Sequence, residues 1–360
     1  MTSASSLLQR AREQGTPVIH ENRATFIWEG DTAPLLISDP TGWDDHPKAL
    51  KRLSFPARHA PSQPVWSASL TVPRDAYVEY AFLDPDSREH LLDPYNARST
   101  SNGMGNRNNF FYMPEAGPAP ITLRRADVPA GRLSHHRVDT WMLQDDGERD
   151  VHLYTPPARG PFPLLVVFDG PDYLHRGRLA TIVENMIAEK RMRPVAMAFL
   201  QNGRSRRHLE YICSDATISW LDQEVLPLAR KHLKLLNIRQ QPGAYGVLGA
   251  SAGGIAAMYT GLRMPEVFGK VLSQSGVFSL EERDLVVKDL VRYRHAHDLK
   301  IWMDVGIMDE LLEDNRQMVQ LLNEQNYDVT YREFHGGHNY TSWRDNVWRG
   351  LEAIFPPIPG

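Results

Sequence analysis

The stretch "PLLVVFDG", residues 163–170, constrains the fold more than any other segment of this chain. It is an uninterrupted apolar run that stops in a turn. An alternating run would leave one face for water; a continuous one must be covered on both faces, as in a parallel strand packed between helices. Comparable runs follow at "PVAMAFL", "AYGVLGAS", "KVLSQSG", "KIWMDVG" and "DVTYREF". Between them lie helical patterns, among them "RLATIVENMIAEKRM", "ATISWLDQEVLPLARKHL" and "LLEDNRQMVQLLNEQN". Strands alternating with helices of about 10–15 residues predict a mostly parallel α/β sheet with helices on both faces.

The first third of the chain has a different texture. After a short N-terminal segment, 1–15, read as helical or flexible, residues 16–113 show short β-like runs: "ATFIWEG", "PLLIS", "VWSASLTV" and "YVEYAFLD". Pro, Gly and Asp punctuate them, as in a sandwich of short antiparallel strands. The Pro/Gly/Ala stretch "PEAGPAP", 114–120, is the expected linker, leaving 121–360 for the α/β domain. Asn102, Asn106, Asn108 and Asn109 in "STSNGMGNRNNFF" read as a polar loop near the end of the first domain.

In "GVLGASAGGIAAMYTGL" a serine follows a strand pattern and precedes good helix formers. A strand-turn-helix this sharp needs small neighbours, and Gly249, Ala250, Ala252, Gly253 and Gly254 supply them. Ser251 is therefore the expected nucleophile; the bland alternative is a small-residue turn without chemistry. A base is expected just past the final strand, where "EFHGGHNYTSW" offers His335 and His338. His338 follows two glycines in a loop free to turn its ring towards Ser251, whereas His335 reads as structural or substrate-facing. The acid is expected in the loop after the preceding strand. There Asp309 is preferred to Glu310, Asp304 falls inside the strand, and Glu313 and Asp314 fall on the helix. The amide of Ala252 is one expected oxyanion donor, with Gly170 or Asp172 as the second. Pro171 between them has no N–H to offer. Asp169 reads as a brace for that turn.

"LLVVFDG", "YGVLGASAGGIAAMYTGLRMPEVFGKVLSQSGVF", "VGIMDELLEDNRQM" and "YREFHGGHNYTSWRDNVWRGL" together resemble the "putative esterase" family. Within it they are most similar to the enterobactin (ferric enterochelin) esterases. "ATFIWEG", "TGWDD", "YVEYAFLD" and "DPYNAR" resemble the immunoglobulin-like domain that precedes the hydrolase in that group. The resemblance implies an α/β-hydrolase domain preceded by an immunoglobulin-like β-sandwich, and ester hydrolysis by Ser251 and His338. Asp309 stands where relatives often carry Glu, and Asn339 where they often carry Asp. The resemblance also places an arginine and a glutamate in the loop after the second hydrolase strand, here Arg207 and Glu210 in "GRSRRHLEY".

The expected function is a serine esterase acting on a small-molecule ester, a catecholate siderophore trilactone in its iron-bound or iron-free form. The alternative is a feruloyl-type or other carboxylic ester hydrolase with a carbohydrate-facing β-domain. An anionic, aromatic ligand calls for cations and flat rings. Arg206, with Arg204, Arg207 and Glu210, and the aromatics Tyr173 and Trp343 are the candidate contacts, against a null of a solvated basic loop and packed core rings. Composition narrows the remaining classes. With 42% hydrophobic and 23% charged residues the chain reads as soluble and globular, and a net charge of −4 without a basic stripe argues against nucleic acid. The single cysteine, Cys213, excludes an internal disulfide framework and fits a reducing compartment. No apolar run reaches the ~20 residues of a membrane span, and "MTSASSLLQRAREQG" lacks a signal-peptide core, so the cytoplasm is expected. No metal or organic cofactor is expected, since HExxH and ligand-spaced Cys/His sets are missing. The sequence assigns no oligomeric state.

Overall fold

A computed structural model describes residues 3–143, 147–293 and 298–358. The chain forms two compact units. The first comprises Met1–Gly117 together with two short segments from far along the chain, Gly306–Glu310 and His335–Asn339. The second comprises Pro118–Val305, Leu311–Phe334 and Tyr340–Gly360.

In the first unit, helix α1 (Ala4–Gln14) opens on Ser3, whose hydroxyl accepts from the Ser6 amide. It lays Leu8 and Ala11 against Val18, Ile27 and Val65, so the N-terminal segment is a docked helix. Two antiparallel sheets follow. One has the order Val18–His20, Arg23–Glu29, Val65–Thr71, Lys51–Arg52. The other runs Lys48–Ala49, Leu35–Ser38, Tyr77–Leu83, Arg107–Tyr112, Ser99–Ser101, with His90–Leu91 added beside Tyr77–Leu83. This is the immunoglobulin-like sandwich. Its centre is aromatic: Phe26 meets Tyr80 edge-on at 4.6 Å and Phe111 at 5.9 Å. All seven residues of Tyr77–Leu83 are buried, including Glu79.

Two of the four asparagines read as a polar loop lie inside this unit instead. Asn108 and Asn109 sit on the strand Arg107–Tyr112 and are buried. Asn108 Nδ2 donates to Glu79 Oε2 at 2.9 Å, and Asn109 Nδ2 donates to the Asn96 carbonyl at 2.8 Å. Their polarity misleads because a buried amide is tolerated where its NH2 group finds an acceptor, as both do here.

The second unit is built on eight strands: β1 (Arg132–Asp139), β2 (Glu148–Thr155), β3 (Leu164–Val167), β4 (Ala196–Leu200), β5 (Gly246–Ala250), β6 (Lys270–Gln274), β7 (Lys300–Gly306) and β8 (Asp328–Phe334). Their order is β1-β2-β4-β3-β5-β6-β7-β8. The β1–β2 and β2–β4 pairs are antiparallel; β4–β3, β3–β5, β5–β6 and β6–β7 are parallel. This is the α/β-hydrolase arrangement. The uninterrupted apolar runs are explained by two separate hydrophobic layers. Leu164 and Val166 point into one, shared with Ile255, Met258 and Leu262 of α3 (Ala252–Arg263) and with Met318 and Leu322 of α4 (Leu312–Glu324). Leu165 and Val167 point into the other, shared with Ile182, Val183 and Met186 of α2 (Leu179–Ala188) and with Trp343, Val347 and Leu351 of α5 (Tyr340–Ile354). Strands β1 and β2 have no counterpart among the apolar runs read from the sequence. β1, "RLSHHRVD", is exposed along most of its length and buries mainly Val138.

Phe26→Ala, which empties the centre of the aromatic cluster, is expected to destabilise the first unit by about 3–5 kcal/mol. Urea unfolding followed by tryptophan fluorescence measures it, and a change below about 1 kcal/mol would mean that this cluster is not the core.

Candidate active site

Ser251 terminates β5 with φ 57° and ψ −125°, and α3 begins at the next residue. An L-residue in that state is sterically strained, by about 1–3 kcal/mol, and must be held there. The Ser251 amide donates to the Gln274 carbonyl at 2.9 Å, and its carbonyl accepts from the Gly254 amide at 2.8 Å. Small neighbours are obligatory: a Cβ on Gly249 would overlap the Gly253 carbonyl, and one on Gly254 would lie 2.7 Å from Ser273 Oγ. Ala252 occupies the first position of α3, where backbone amides have no intrahelical acceptor and are available to an anion.

In the first unit, His338 Nδ1 lies 3.0 Å from both carboxylate oxygens of Asp309. The Asp309 carboxylate is fully buried and the His338 side chain is 25% exposed. With Nδ1–H donating to Asp309, the neutral ring carries its lone pair on Nε2, the tautomer a general base requires. Glu310, the rival acid, is exposed. The two loops are tied together by the Met308 amide donating to the Gly336 carbonyl at 3.1 Å. They approach so closely that a Cβ on Gly306 would overlap that same carbonyl. His335 faces elsewhere and pairs with Asp75.

The turn after β3 carries the other expected oxyanion donors. Asp169 adopts φ 51°, ψ 42° and caps the short helix Gly170–His175. Gly170 is pressed against β4, where any Cβ would overlap the Phe199 backbone. Gly170 and Asp172 belong to the first turn of that helix, and the Asp172 carboxylate is turned to Arg176 at 3.2 Å.

Four of the expected ligand contacts have partners within the protein. Arg207 is bidentate on Asp169, with Nε at 2.8 Å and Nη2 at 2.7 Å, and Asn202 Nδ2 joins the same carboxylate at 2.6 Å. Burial pulls the guanidinium down, but the bonds and charge of Asp169 hold it above its ordinary range. Glu210 is engaged by Arg149 through contacts of 3.0 and 2.6 Å, with both side chains at most 6% exposed. Tyr173 is buried and donates to Gln274 Oε1 at 3.0 Å. Trp343 is buried and donates to Ser275 Oγ at 2.9 Å. Each of these four groups is engaged by a partner within the second unit. Arg206, by contrast, is exposed, as are Arg204 and His208 in the same loop.

Gln274 was not singled out from the sequence, yet it joins several parts of the second unit. Its carbonyl holds the Ser251 amide, its Oε1 accepts from Tyr173, and its Nε2 donates to the Trp343 carbonyl at 3.2 Å and to Asp304 at 3.1 Å. Asp304 also accepts from Trp302 Nε1 at 3.0 Å, and burial pushes its carboxyl up to about 6. The available signal was a Gln ending a strand whose last four residues are buried. Arg149 was likewise missed, on a strand the apolar pattern did not reveal.

A family model described as "Putative esterase" matches residues 145–354. An iron(III) enterobactin esterase of Dickeya dadantii (strain 3937) is 26% identical over an alignment covering 96% of this chain and 92% of that protein. An enterobactin esterase from Shigella flexneri, crystallised in the presence of enterobactin, has a TM-score of 0.73 at 21% identity, covering 92% of each chain. A ferulic acid esterase from the anaerobic fungus Anaeromyces mucronatus has a TM-score of 0.57 at 14% identity, covering 68% of this chain and 97% of its own. At these identities the two structural likenesses speak for the fold.

Glu210→Ala removes the bidentate carboxylate from the buried Arg149 guanidinium and is expected to cost about 3–5 kcal/mol of stability. Chemical denaturation reads the loss, while KM for ester substrates stays near wild type. A raised KM with undiminished stability would return Glu210 to the ligand site.

Proposed function

This chain belongs to the "Putative esterase" family and is a carboxylic ester hydrolase; from that premise we propose that Ser251, His338 and Asp309 are its nucleophile, base and acid. The observation that carries this reading is the Ser251 backbone, a strained strand-to-helix turn of the kind that presents a nucleophile at a sheet's carboxyl edge. Support comes from chain order as well. Ser251, Asp309 and His338 follow β5, β7 and β8, the order serine, acid, histidine found in hydrolases of this type. The Asp309–His338 hydrogen bond fits the same roles.

Ser251 Oγ attacks the ester carbonyl as His338 Nε2 takes its proton. Asp309 keeps Nδ1–H in place and stabilises the imidazolium. The tetrahedral oxyanion is met by the Ala252 amide, with Gly170 or Asp172 as second donor, each donor lowering the barrier by about 3 kcal/mol. His338 then returns the proton to the leaving alcohol. Water, activated by the same imidazole, resolves the acyl-enzyme.

For the substrate we propose a catecholate siderophore ester, an enterobactin-like trilactone. Similarity to the Dickeya protein along almost the full length of both chains supports this reading. The exposed guanidinium groups of Arg204 and Arg206 suit an anionic catecholate or its ferric complex. The likeness to the ferulic acid esterase extends over a smaller share of the chain.

Ser251→Ala is expected to reduce p-nitrophenyl ester turnover by about 10³-fold or more with the fold intact by circular dichroism. Asp309→Asn is expected to lower kcat by about 10³–10⁴-fold while Glu310→Gln leaves it unchanged; the reverse outcome would exchange the acid. For the substrate, product analysis compares iron-loaded and iron-free catecholate trilactones with feruloyl sugars. Ring-opened or monomeric catechol-amide products are expected, and turnover of feruloyl sugars alone would overturn the assignment.

A further inference from the structure

Asp39 and Glu79 are buried carboxylates of the first unit to which the mechanism gives no part. Asp39 follows the strand Leu35–Ser38 and is 3% exposed; Glu79, on the neighbouring strand, is 2% exposed. The Glu79 amide donates to Asp39 Oδ2 at 2.8 Å, and Trp43 Nε1 donates to Asp39 Oδ1 at 3.2 Å. The Glu79 carboxylate accepts from Tyr77 Oη at 3.0 Å and Asn108 Nδ2 at 2.9 Å. Such burial of two acids is costly, and their mutual repulsion adds to the cost. Burial, followed by the charge of Glu79, holds the Asp39 carboxyl above its ordinary range, with Asp309 contributing in the same sense.

What Asp39 gains in return is a grip on one turn. Asn339 Nδ2 donates to Asp39 Oδ2 at 3.3 Å, and the Gly337 backbone lies flat against the same carboxylate, where a Cβ would overlap Asp39 Cγ. Gly337 and Asn339 flank His338 in the chain. The turn is fixed further by the Tyr77 amide donating to the His335 carbonyl at 3.1 Å and the Met308 amide donating to the Gly336 carbonyl at 3.1 Å. His338 itself meets Asp309 at 3.0 Å. Asp39 thus supplies a side-chain anchor immediately before and after the imidazole.

We propose that Asp39 is a positioning residue for ester hydrolysis, fixing the Gly336–Asn339 turn so that His338 stays aligned on Asp309. The proposal rests on His338 being the catalytic base. A displacement of the order of an ångström at a catalytic group is enough to cost about 10²-fold in rate. Its effect is expected on kcat, because misalignment of the base acts on the chemical step.

The test measures kcat and KM on a p-nitrophenyl ester, per site counted as folded protein from absorbance and circular dichroism, for Asp39→Ala, Asp39→Asn, Asn339→Ala and His338→Ala. Asp39→Ala is expected to lower per-site kcat by about 10–100-fold with KM within about threefold. Asp39→Asn, which keeps the shape and one acceptor oxygen, is expected to recover most of that loss. Asn339→Ala, which removes one anchor, is expected to lose about 3–10-fold. A wild-type per-site kcat in Asp39→Ala overturns the proposal, as does a KM increase that accounts for the whole effect. If Asp39→Ala fails to fold, Asn339→Ala decides: a reduced per-site kcat supports the role and a wild-type value overturns it. An inactive His338→Ala beside a fully active Asp39→Ala sinks the positioning role alone, whereas an active His338→Ala sinks the reading of the base as well.

Discussion

The strained backbone of Ser251 is the constraint on which the rest of the second unit's carboxyl edge depends. A residue with a Cβ at φ 57°, ψ −125° sits outside the favoured regions, and it stays there only because its surroundings leave no other choice. The amide is anchored on the Gln274 carbonyl and the carbonyl on the first turn of α3. The absence of side chains at Gly249 and Gly254 lets strand, turn and helix approach to backbone contact. Strain of this kind accompanies a chain that passes from strand to helix within a single residue.

Around that turn the structure accepts polar groups in places where apolar ones would pack more cheaply. Asp169 with Arg207, Arg149 with Glu210, and Gln274 with Tyr173, Trp343 and Asp304 form directional contacts under the loops. Buried pairs of this kind add little net stability compared with hydrophobic replacements, yet removing one partner is severe. Their value is geometric. Hydrogen bonds specify orientation, which hydrophobic contacts do not, and the loops they support are those where the reacting groups are expected.

Much of this was legible in the sequence, for reasons that also explain what was not. Strands such as Leu164–Val167 announce themselves because both faces are dry, and the Ser251 turn does so because only small residues can make it. β1 remained silent because an exposed, polar strand carries no apolar periodicity. Arg207 and Glu210 were read as ligand contacts because a charged residue in a loop looks the same whether it faces water or a buried partner. Those partners, Asp169 and Arg149, lie 38 and 61 residues away in the chain. Tyr173 and Trp343 pose a similar difficulty, since an aromatic ring near an active loop gives no indication in the sequence of which way it points. Asp309 and Glu310 are neighbours in the chain, and only the path of the loop decides which meets His338.

The polar strand β1 has one more consequence. A sheet of eight strands ends in two open rims, each a row of backbone donors and acceptors able to recruit a stray strand from another molecule. β1 forms one rim and β8 the other. The first carries Arg132, His135, His136 and Arg137, and the second Asp328, Arg332 and Glu333. Docking there would strip water from several charges at once. The features that hid β1 from a hydrophobicity pattern therefore guard the sheet against uncontrolled growth into aggregates.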